Sequence, residues 1–476
     1  MGRRIAAFAV VAVVAFAVLA IVLARGGGKK DTTPAPPADT RAEALAYAPR
    51  NAPALIGVDS GSGAASLVLG ALVPRVSGGA LTANDISPLL GNEAVVALLD
   101  PRTGRSQLSM VAKDPDALRA LARRLKRSGS YRRATLYAGP SGAAIAIRGA
   151  TILAASDEPT VRRALDTRAN TRGRLSPQQF DRRLAGLSTT ADIRTVFDPK
   201  RVVVAQRLPG VLNTRWGRSL TNGAAVLTQG GSGLRLPFAL QTAPTRINDN
   251  DLPFATGPQA PQIRGRAPLL IGVRDIARLI AFLRKADPQR LGGLDTFQNS
   301  LPSFLRVDID GLFNGLTNEG TISSADGLAH FAARTDPPNP NDWRQPLQRL
   351  STLSGVLQRL GIDNIRLNDE GPNAYRLDVD KKLVARVGIF GRTLVFTDDA
   401  RANLPATATA PAAPSPPGAR GGLTLRMQAS EGRRLLSDLF GLPSGASAIL
   451  DRLGDLTGWA RGATDGVRGE LQLGLR

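Results

Sequence analysis

At 476 residues, with 43% hydrophobic and 21% charged residues, the chain is long enough for two or three folded domains, and this composition excludes disorder throughout. The net charge is +22, but the basic residues are spread along the chain and only eight of the 61 are lysine, which argues against nucleic-acid binding. The absence of cysteine excludes disulfides, thiolate catalysis and iron–sulfur clusters.

The N-terminal residues 1–25 contain an apolar run from Ile5 to Ala24, twenty residues without a charge. Such a run is long enough to cross the hydrocarbon core of a membrane. We predict a transmembrane anchor or uncleaved signal, because the run is longer than the apolar region of a typical signal peptide. The alternative is cleavage near Ala24, with Arg3 and Arg4 as the basic start of a signal peptide.

Basic residues flank the apolar run on both sides, so charge alone does not predict its orientation. Residues 26–43 are rich in glycine and proline and are typical of an exported stalk. We therefore predict a single-pass protein of the cell membrane, with its soluble region outside the cytoplasm. Secretion after cleavage is the alternative localisation.

An internal repeat follows the stalk. Ala52–Asp59 returns as Ala267–Arg274, identical at six of eight positions. Weaker echoes follow in the same order: Leu90–Glu93 with Leu316–Glu319, Gly149–Leu153 with Gly391–Val395, and Asn222–Gly223 with Asp465–Gly466. This collinear recurrence predicts two copies of one unit, at residues 44–243 and 264–476, joined by a linker at 244–263. A proline-rich stretch at 405–422 is predicted to be a surface loop within the second copy.

Each copy mixes strand and helix patterns. Short runs rich in small or β-branched residues predict strands at 95–99, 108–112, 143–147, 151–154, 375–379 and 393–397. Asp114 before Pro115 predicts a helix start, as does Glu158 before Pro159, and Ile276, Leu279, Ile280 and Leu283 form one apolar helical stripe.

Gly149 and Gly391 each separate two strand candidates, where a hairpin turn favours glycine. The predicted fold class is therefore α+β: two tandem related domains with mostly antiparallel sheets and flanking helices, preceded by one N-terminal transmembrane helix.

Several of these segments resemble a known bacterial family. They are Ala44–Pro49 with Leu55–Asp59, Gly91–Glu93, Lys113–Pro115 and Thr151–Pro159. Together they are similar to the family called domain of unknown function 3352, over much of the first copy and more faintly over the second. The resemblance implies an N-terminal signal or anchor and an extracytoplasmic location, and it carries no active site with it.

The motifs of common enzyme classes are missing. The sequence has no phosphate-binding G-x-x-x-x-G-K-[ST], no G-x-S-x-G and no S-x-x-K. The only histidine, His330, lies in the apolar segment Gly327–Ala333, which is typical of a strand, and we interpret it as a structural residue rather than a catalytic or metal-binding one.

Pairs of carboxylates are the remaining candidates for chemistry. Asp308 with Asp310, and Asp378 with Asp380, would share one face of a strand and could bind calcium, but the full calcium-loop pattern is missing. We therefore interpret both pairs as parts of solvated strand faces. Asp398–Asp399 and Asp157–Glu158 occupy equivalent places in the two copies, where helix capping is the simpler interpretation.

Trp216 and Trp459 also recur in comparable parts of the copies, and we interpret them as core anchors rather than stacking platforms. The sequence thus predicts no catalytic, cofactor-binding or metal residue, and hence a protein that is not an enzyme. We predict a binding or scaffolding module of the cell envelope whose partners are the membrane, through the N-terminal helix, and a lipid or envelope protein.

Two alternatives remain open. The first is a carrier of a lipid or other apolar ligand in a cleft between the copies, recognised by a continuous apolar cavity with an arginine-lined mouth. The second is an envelope hydrolase that uses Asp398 and Asp399.

The predicted orientation can be tested by protease protection. We expect protease added to intact cells to digest the region after residue 43, because the apolar segment places that region outside the cytoplasm. A C-terminal region that is digested only after lysis would show that the orientation is reversed.

Overall fold

The computed structural model describes residues 38–60, 69, 72–90, 93–205, 209–230, 233–243, 247–286, 309–324, 330–359, 365–379, 381–432, 434, 453–463 and 465–475. The predicted membrane segment at 5–24 lies outside these residues. Within them, no helix combines the length and apolar character needed to cross a membrane.

The first half of the described chain contains ten strands and seven helices, besides a helical turn at residues 72–76 and short 3₁₀ turns. In chain order these are α1 (Ala38–Ala46), β1 (Ala54–Asp59), α2 (Ala83–Ile86), β2 (Glu93–Asp100), β3 (Arg105–Val111), α3 (Pro115–Arg124), β4 (Lys126–Tyr131), β5 (Ala134–Ala138), β6 (Ala144–Arg148), β7 (Thr151–Ala155), α4 (Glu158–Ala169), α5 (Pro177–Arg183), β8 (Ile193–Phe197), α6 (Pro199–Ala205), α7 (Arg215–Ser219), β9 (Leu220–Gly230) and β10 (Gly233–Thr242).

The second half of the described chain adds ten more strands and four helices. They are β11 (Leu269–Val273), α8 (Ile276–Ala286), α9 (Ile309–Asn314), β12 (Gly320–Ser324), β13 (Ala332–Thr335), α10 (Asn341–Arg359), β14 (Ile365–Gly371), β15 (Ala374–Val379), β16 (Lys382–Phe390), β17 (Thr393–Thr397), α11 (Leu404–Ala408), β18 (Leu423–Met427), β19 (Leu453–Ala463) and β20 (Gly466–Leu475).

All twenty described strands belong to one sheet, and every pairing in it is antiparallel. From one edge the order is β4-β5-β6-β7-β3-β2-β1-β8-β9-β10, and it continues as β20-β19-β18-β11-β12-β13-β17-β16-β15-β14. The second series is the first in reverse, with each number raised by ten. The α+β class with mostly antiparallel sheet is therefore confirmed.

The two halves meet where β10 pairs with β20 over nine residue pairs, from Gly233–Gly474 to Gln241–Gly466. Arg235 adds a side-chain contact across this junction, with its Nε and Nη2 atoms 2.7 and 2.9 Å from the Glu470 carboxylate. A continuous hydrogen-bonded sheet, rather than a flexible hinge, thus connects the halves.

Helix α1 covers one face of the first half of the sheet. The side chains of Ser109 and Gln107 each donate a hydrogen bond of 2.7 Å to backbone oxygens at the end of this helix. Tyr47 donates to Glu43 at 2.8 Å, and Arg168 forms a bidentate pair with the same carboxylate. Burial, reinforced by the hydrogen bond to Glu43, raises the pKa of Tyr47 to about 12. These contacts fix the end of α1 against β3 and α4.

Most predicted elements are confirmed. The six predicted strands correspond to β2, β3, β6, β7, β15 and β17, and the turns at Gly149 and Gly391 have positive φ values of 58° and 60°. Asp114 caps α3 by accepting from two backbone N–H groups, and Asp157 caps α4 by accepting from Thr160. The helix-capping interpretation of the Asp157–Glu158 pair is therefore confirmed.

Three sequence interpretations need correction. Asn222–Gly223 lies at the start of β9, whereas Asp465–Gly466 lies at the turn between β19 and β20, so these two segments are not equivalent. In the described part of the predicted linker at 244–263, residues 247–263 pack onto the fold, with Leu252, Phe254 and Ile263 fully buried. Within the predicted loop at 405–422, the chain first completes α11, which Asn403 caps by accepting from Ala406.

A buried ion pair joins β2 to β8 in the first half. The Arg194 Nη2 atom lies 2.5 and 2.6 Å from the two carboxylate oxygens of Glu93, and both side chains are almost completely buried. Burial raises the pKa of Glu93 above its usual value of 4.5, although the charge of Arg194 opposes the shift. Because the folded state holds the Glu93 proton more tightly than the unfolded chain, this group favours the folded state increasingly as pH falls towards 4.5.

We expect Arg194→Met to lower the free energy of unfolding by about 3–5 kcal/mol at neutral pH, because it leaves the Glu93 charge buried and unpaired. Adding Glu93→Gln should recover part of that loss and reduce the rise in stability as pH falls towards 4.5. The exposed Arg119–Asp116 pair is the control, since Arg119→Met removes a surface ion pair worth at most about 1 kcal/mol. Denaturant unfolding at several pH values measures all three variants, and equal losses from the two arginine substitutions would contradict the prediction.

Candidate functional site

An apolar cavity lies in the second half of the sheet, between helices α8, α9 and α10 and the face formed by β12, β13 and β17. Its volume is about 100 Å³. The lining residues include Thr335, Asp398 and Trp343, but the surface that encloses the cavity is almost entirely apolar. This cavity is our candidate functional site.

Helix α8 forms one wall. Ile276, Leu279, Ile280 and Leu283 recur at the spacing of one helical face, and all four line the cavity. Asp275 precedes the helix and accepts a hydrogen bond of 3.0 Å from the backbone N–H of Arg278, which fixes the first turn. The predicted apolar stripe is therefore confirmed, and it faces the candidate site.

Aromatic rings form the opposite wall. Phe313 meets Trp343 edge to face, with ring centroids 5.6 Å apart, and meets Phe396 in the same way at 6.5 Å. Phe331 completes this wall and is also buried. Aromatic residues make up only 4% of the chain, so four of them around one cavity represent a strong local concentration.

The floor of the cavity differs from the matching surface of the first half. In the first half, Val96, Leu108 and Ala154 lie opposite one another across β2, β3 and β7. In the second half, the same register brings Ile322, Ala333 and Phe396 together across β12, β13 and β17. The central leucine of the first row is thus replaced by alanine.

The neighbouring row shows the same reduction at its centre. Met110 lies between Ala94 and Ile152 in the first half, and Thr335 lies between Gly320 and Leu394 in the second. Leu108 and Met110 are both completely buried in the first-half core. The β13 side chains are therefore smaller than the β3 side chains at both central positions, while Phe396 on β17 is larger than Ala154 at the matching position on β7.

Asp398 is the only charged residue that lines the cavity within the described part of the chain. Its Oδ1 atom accepts a hydrogen bond of 2.7 Å from the backbone N–H of Phe331, and His330 Nδ1 lies 3.8 Å from the same oxygen. The side chain of Asp398 is 19% exposed and that of His330 is 48% exposed. His330 precedes β13 instead of lying in a strand, which corrects the sequence interpretation.

Asp399 has a different role from its neighbour. Its Oδ1 atom accepts a hydrogen bond of 2.8 Å from the backbone N–H of Arg401, and its own N–H donates to Thr397. Asp399 therefore organises the turn after β17 and is not among the residues that line the cavity. The hypothesis of a hydrolase built on Asp398 and Asp399 gains no support from this arrangement.

The other candidate carboxylates do not form a site. Ile309–Asn314 is helical, so Asp310 does not lie on the predicted strand, and Asp308 and Asp380 lie outside the described residues. Asp378 is buried and accepts hydrogen bonds from Arg376 and Asn368 at 2.9–3.1 Å. No group of three potential metal ligands occurs in the described part of the chain.

The two tryptophans singled out in the sequence have unequal positions. Trp216 belongs to α7, is buried, and meets Phe282 edge to face at 5.9 Å, as a core anchor should. Trp459 lies in β19, with the Arg420 guanidinium 5.1 Å from its ring centroid. They are therefore not in comparable parts of the two halves.

Sequence reasoning missed the cavity, although signals for it were present. Asn339 and Pro340 precede α10, and Trp343, Leu347 and Leu350 within it recur at helical spacing. The cavity lies within the second half, and no arginine is among the described residues that line it. It is therefore a different feature from the arginine-lined cleft between the copies that the sequence suggested, which stays a prediction.

Comparisons with known proteins leave the chain without a family. No protein-family model matches it, and no curated protein matches it. Among solved structures, it is similar to crystal forms III and I of TP0453, each with a TM-score of 0.28 and 12% identity. These matches cover 43% of this chain and 81% and 80% of the TP0453 chains. Similarity at this level carries no functional argument.

Reciprocal substitutions on β3 and β13 test whether the cavity is an unfilled space within the fold. We expect Ala333→Leu to raise the free energy of unfolding by about 1 kcal/mol, because added methylene groups enter an apolar space. Leu108→Ala should lower it by about 2–5 kcal/mol by opening a void in a filled core. Denaturant unfolding measures both variants, and a large destabilisation by Ala333→Leu would show that the space is already occupied.

Proposed function

We propose that the chain is a membrane-tethered protein of the cell envelope that binds an apolar ligand in the cavity beneath α8 and α10. The cavity is the observation that supports this proposal. Its lining is apolar apart from a few polar side-chain atoms, which is the usual character of a small-molecule site.

The size of the cavity suits one short alkyl chain. A volume of about 100 Å³ is smaller than the roughly 150 Å³ of an apolar cavity that binds benzene, so it accommodates roughly four carbon atoms. Each methylene that moves from water into such a space contributes about 0.8 kcal/mol. The proposed ligand therefore places an alkyl segment of about four carbons in the cavity.

The proposal assigns different roles to the two halves of the sheet. The matching strand orders and the repeated Ala52–Asp59 segment support two tandem related domains, with residues 44–243 and 264–476 as the copies. In the first, Leu108 and Met110 fill the core, which suits a scaffold. In the second, Ala333 and Thr335 leave room for a ligand.

The location outside the cytoplasm is part of the same proposal. The apolar segment at 5–24, the stalk at 26–43 and the resemblance to the domain of unknown function 3352 family support it. A short tether would keep the cavity near the membrane, which is a source of alkyl chains. Binding without catalysis fits the role of Asp399 as a turn residue.

Mass spectrometry of organic extracts from the purified full chain tests this function. We expect an alkyl compound to co-purify with the wild-type chain and to be absent from a mock purification. Ala333→Leu should reduce it several-fold, because the leucine side chain occupies the cavity.

Ala332→Leu is the matched control. It makes the same change on the neighbouring residue of β13, whose side chain points to the opposite face of the sheet. The control should retain the compound. An empty wild-type chain, or equal loss from both variants, would count against ligand binding in this cavity.

A further inference from the structure

We infer that one edge of the sheet docks onto a membrane surface that carries anionic phospholipids. Strand β4 forms this edge, because in the described part of the chain it pairs only with β5. The exposed basic side chains in and beside β4 form the docking surface, which we call the basic edge. Its members are Arg123, Arg124, Lys126, Arg127, Arg132 and Arg133.

The basic edge carries a single sign of charge. Although basic residues occur throughout the chain, six of the eleven residues from 123 to 133 are basic. No aspartate or glutamate occurs from residue 117 to residue 156. The local sequence therefore concentrates positive charge and supplies no neighbouring acid to offset it.

Most of this charge also lacks a partner from elsewhere in the fold. Arg124 Nη2 lies 3.0 Å from Asp85 Oδ1, and Arg132 pairs with Asp166. Among the described residues, the other four members of the basic edge have no carboxylate partner, and all six members are exposed. Their charges are therefore available to an external anion.

Strand β4 is held in place although its basic side chains are exposed. The Tyr131 hydroxyl donates a hydrogen bond of 2.9 Å to Asp166 of α4, and the Arg162 guanidinium of the same helix lies 4.9 Å from the Tyr131 ring centroid. Arg132 and Arg133 form the turn after β4 with φ values of 47° and 64°, as a tight hairpin requires. The basic edge is thus a fixed surface of the fold.

The matching edge strand of the second half does not repeat this charge. Strand β14 carries Arg366, Asp369 and Glu370, and Glu370 Oε2 lies 2.6 Å from Arg386 Nε. Charged side chains protect an edge strand from pairing with other strands, and either sign can do so. Protection accounts for charge on both edges, but it does not require the single sign on β4. An anionic partner does.

A membrane surface is the anionic partner that the tether brings within reach, and this step rests on the proposed function. Residues 26–37 precede α1 and span at most about 40 Å when fully extended. Helix α1 contacts β3 through Ser109, and β4 lies four strands from β3, or about 20 Å. Each basic side chain near an anionic lipid surface favours contact roughly fivefold.

Quenching of a fluorophore on β4 by lipid tests the inference. The full chain contains no cysteine, so Ser128→Cys provides a unique site for the fluorophore on β4, and Asn368→Cys provides one on β14. The labelled chains are reconstituted into vesicles of phosphatidylcholine, or of an equal mixture of phosphatidylcholine and phosphatidylglycerol, with a quencher on the lipid head groups. Time-resolved fluorescence measures the ratio of quenched to unquenched chains.

We expect this ratio at residue 128 to be at least about tenfold higher in the mixed vesicles than in phosphatidylcholine, and to fall as salt is added. Residue 368 should show no such difference. Lys126→Gln, Arg127→Gln and Arg133→Gln together should lower the ratio at residue 128 by roughly a hundredfold, because three of the attracted charges are lost.

The matched control combines Lys382→Gln, Arg392→Gln and Arg401→Gln. These residues are exposed, and none has a carboxylate partner among the described residues. The control makes the same change in net charge in the second half of the chain and should retain the wild-type ratio.

The outcomes separate the two proposals. Equal quenching at residue 128 in both kinds of vesicle, or equal loss from the two triple variants, would overturn the inference. Release of β4 from the mixed vesicles by polyphosphate at equal phosphate concentration would also overturn it, because a soluble polyanion would then be the preferred partner. Failure of the full chain to float with phosphatidylcholine vesicles would instead count against the proposed tether, and salt-sensitive quenching in the mixed vesicles would still support docking.

Discussion

The pairing of β10 with β20 is the constraint on which the rest of the structure depends. It joins two ten-strand series into one sheet, and it requires the two backbones to approach closely along their whole length. Gly233 of β10 shows how closely: a Cβ atom there would lie 2.2 Å from the Leu473 backbone oxygen of β20. Any larger residue would push β10 and β20 apart.

Pro237 fits into this junction because proline has no backbone N–H group. It lies within β10 and pairs with Glu470 of β20. On the β9 side, Leu236 and Pro237 have no partner, while the residues of β10 before and after them are paired with β9. Proline has no N–H group to donate, so a strand that contains it loses a ladder bond on one side. The bond is absent on the β9 side, and the pairing that unites the halves stays continuous.

The structural features that the sequence could predict depend on local patterns. The features that it could not predict depend on contacts between residues far apart in the chain. Turn glycines such as Gly149 and caps such as Asp114 act within a few residues, so their sequences are sufficient. The Glu93–Arg194 pair spans 101 residues, and nothing near either residue indicates the other. Asp310 was misread because a short apolar stretch fits strand and helix equally well.

The two halves share their strand order but not the side chains above the sheet, and the cavity depends on those side chains. Segments that set backbone pairing, such as Ala52–Asp59 and Ala267–Arg274, stay similar because they must fit the same ladder. Side chains above the sheet have no such restriction, so Leu108 and Ala333 occupy matching positions with different volumes. Trp216 and Trp459 are the same residue type, but one lies in a helix and the other in a strand. Their recurrence in the sequence therefore does not mark equivalent positions in the two halves.

A carboxylate at the wall of an apolar cavity needs a reason to be there, because removing a charge from water is costly unless it gains partners. The N–H of Phe331 supplies one partner for Asp398, and the residual exposure of its side chain supplies some hydration. In the first half, where the core is filled, the matching position directly after β7 is Ser156. The contact between Asp398 and Phe331 therefore joins the turn after β17 to the start of β13 beside the cavity, and the first half has no such charge at the matching position.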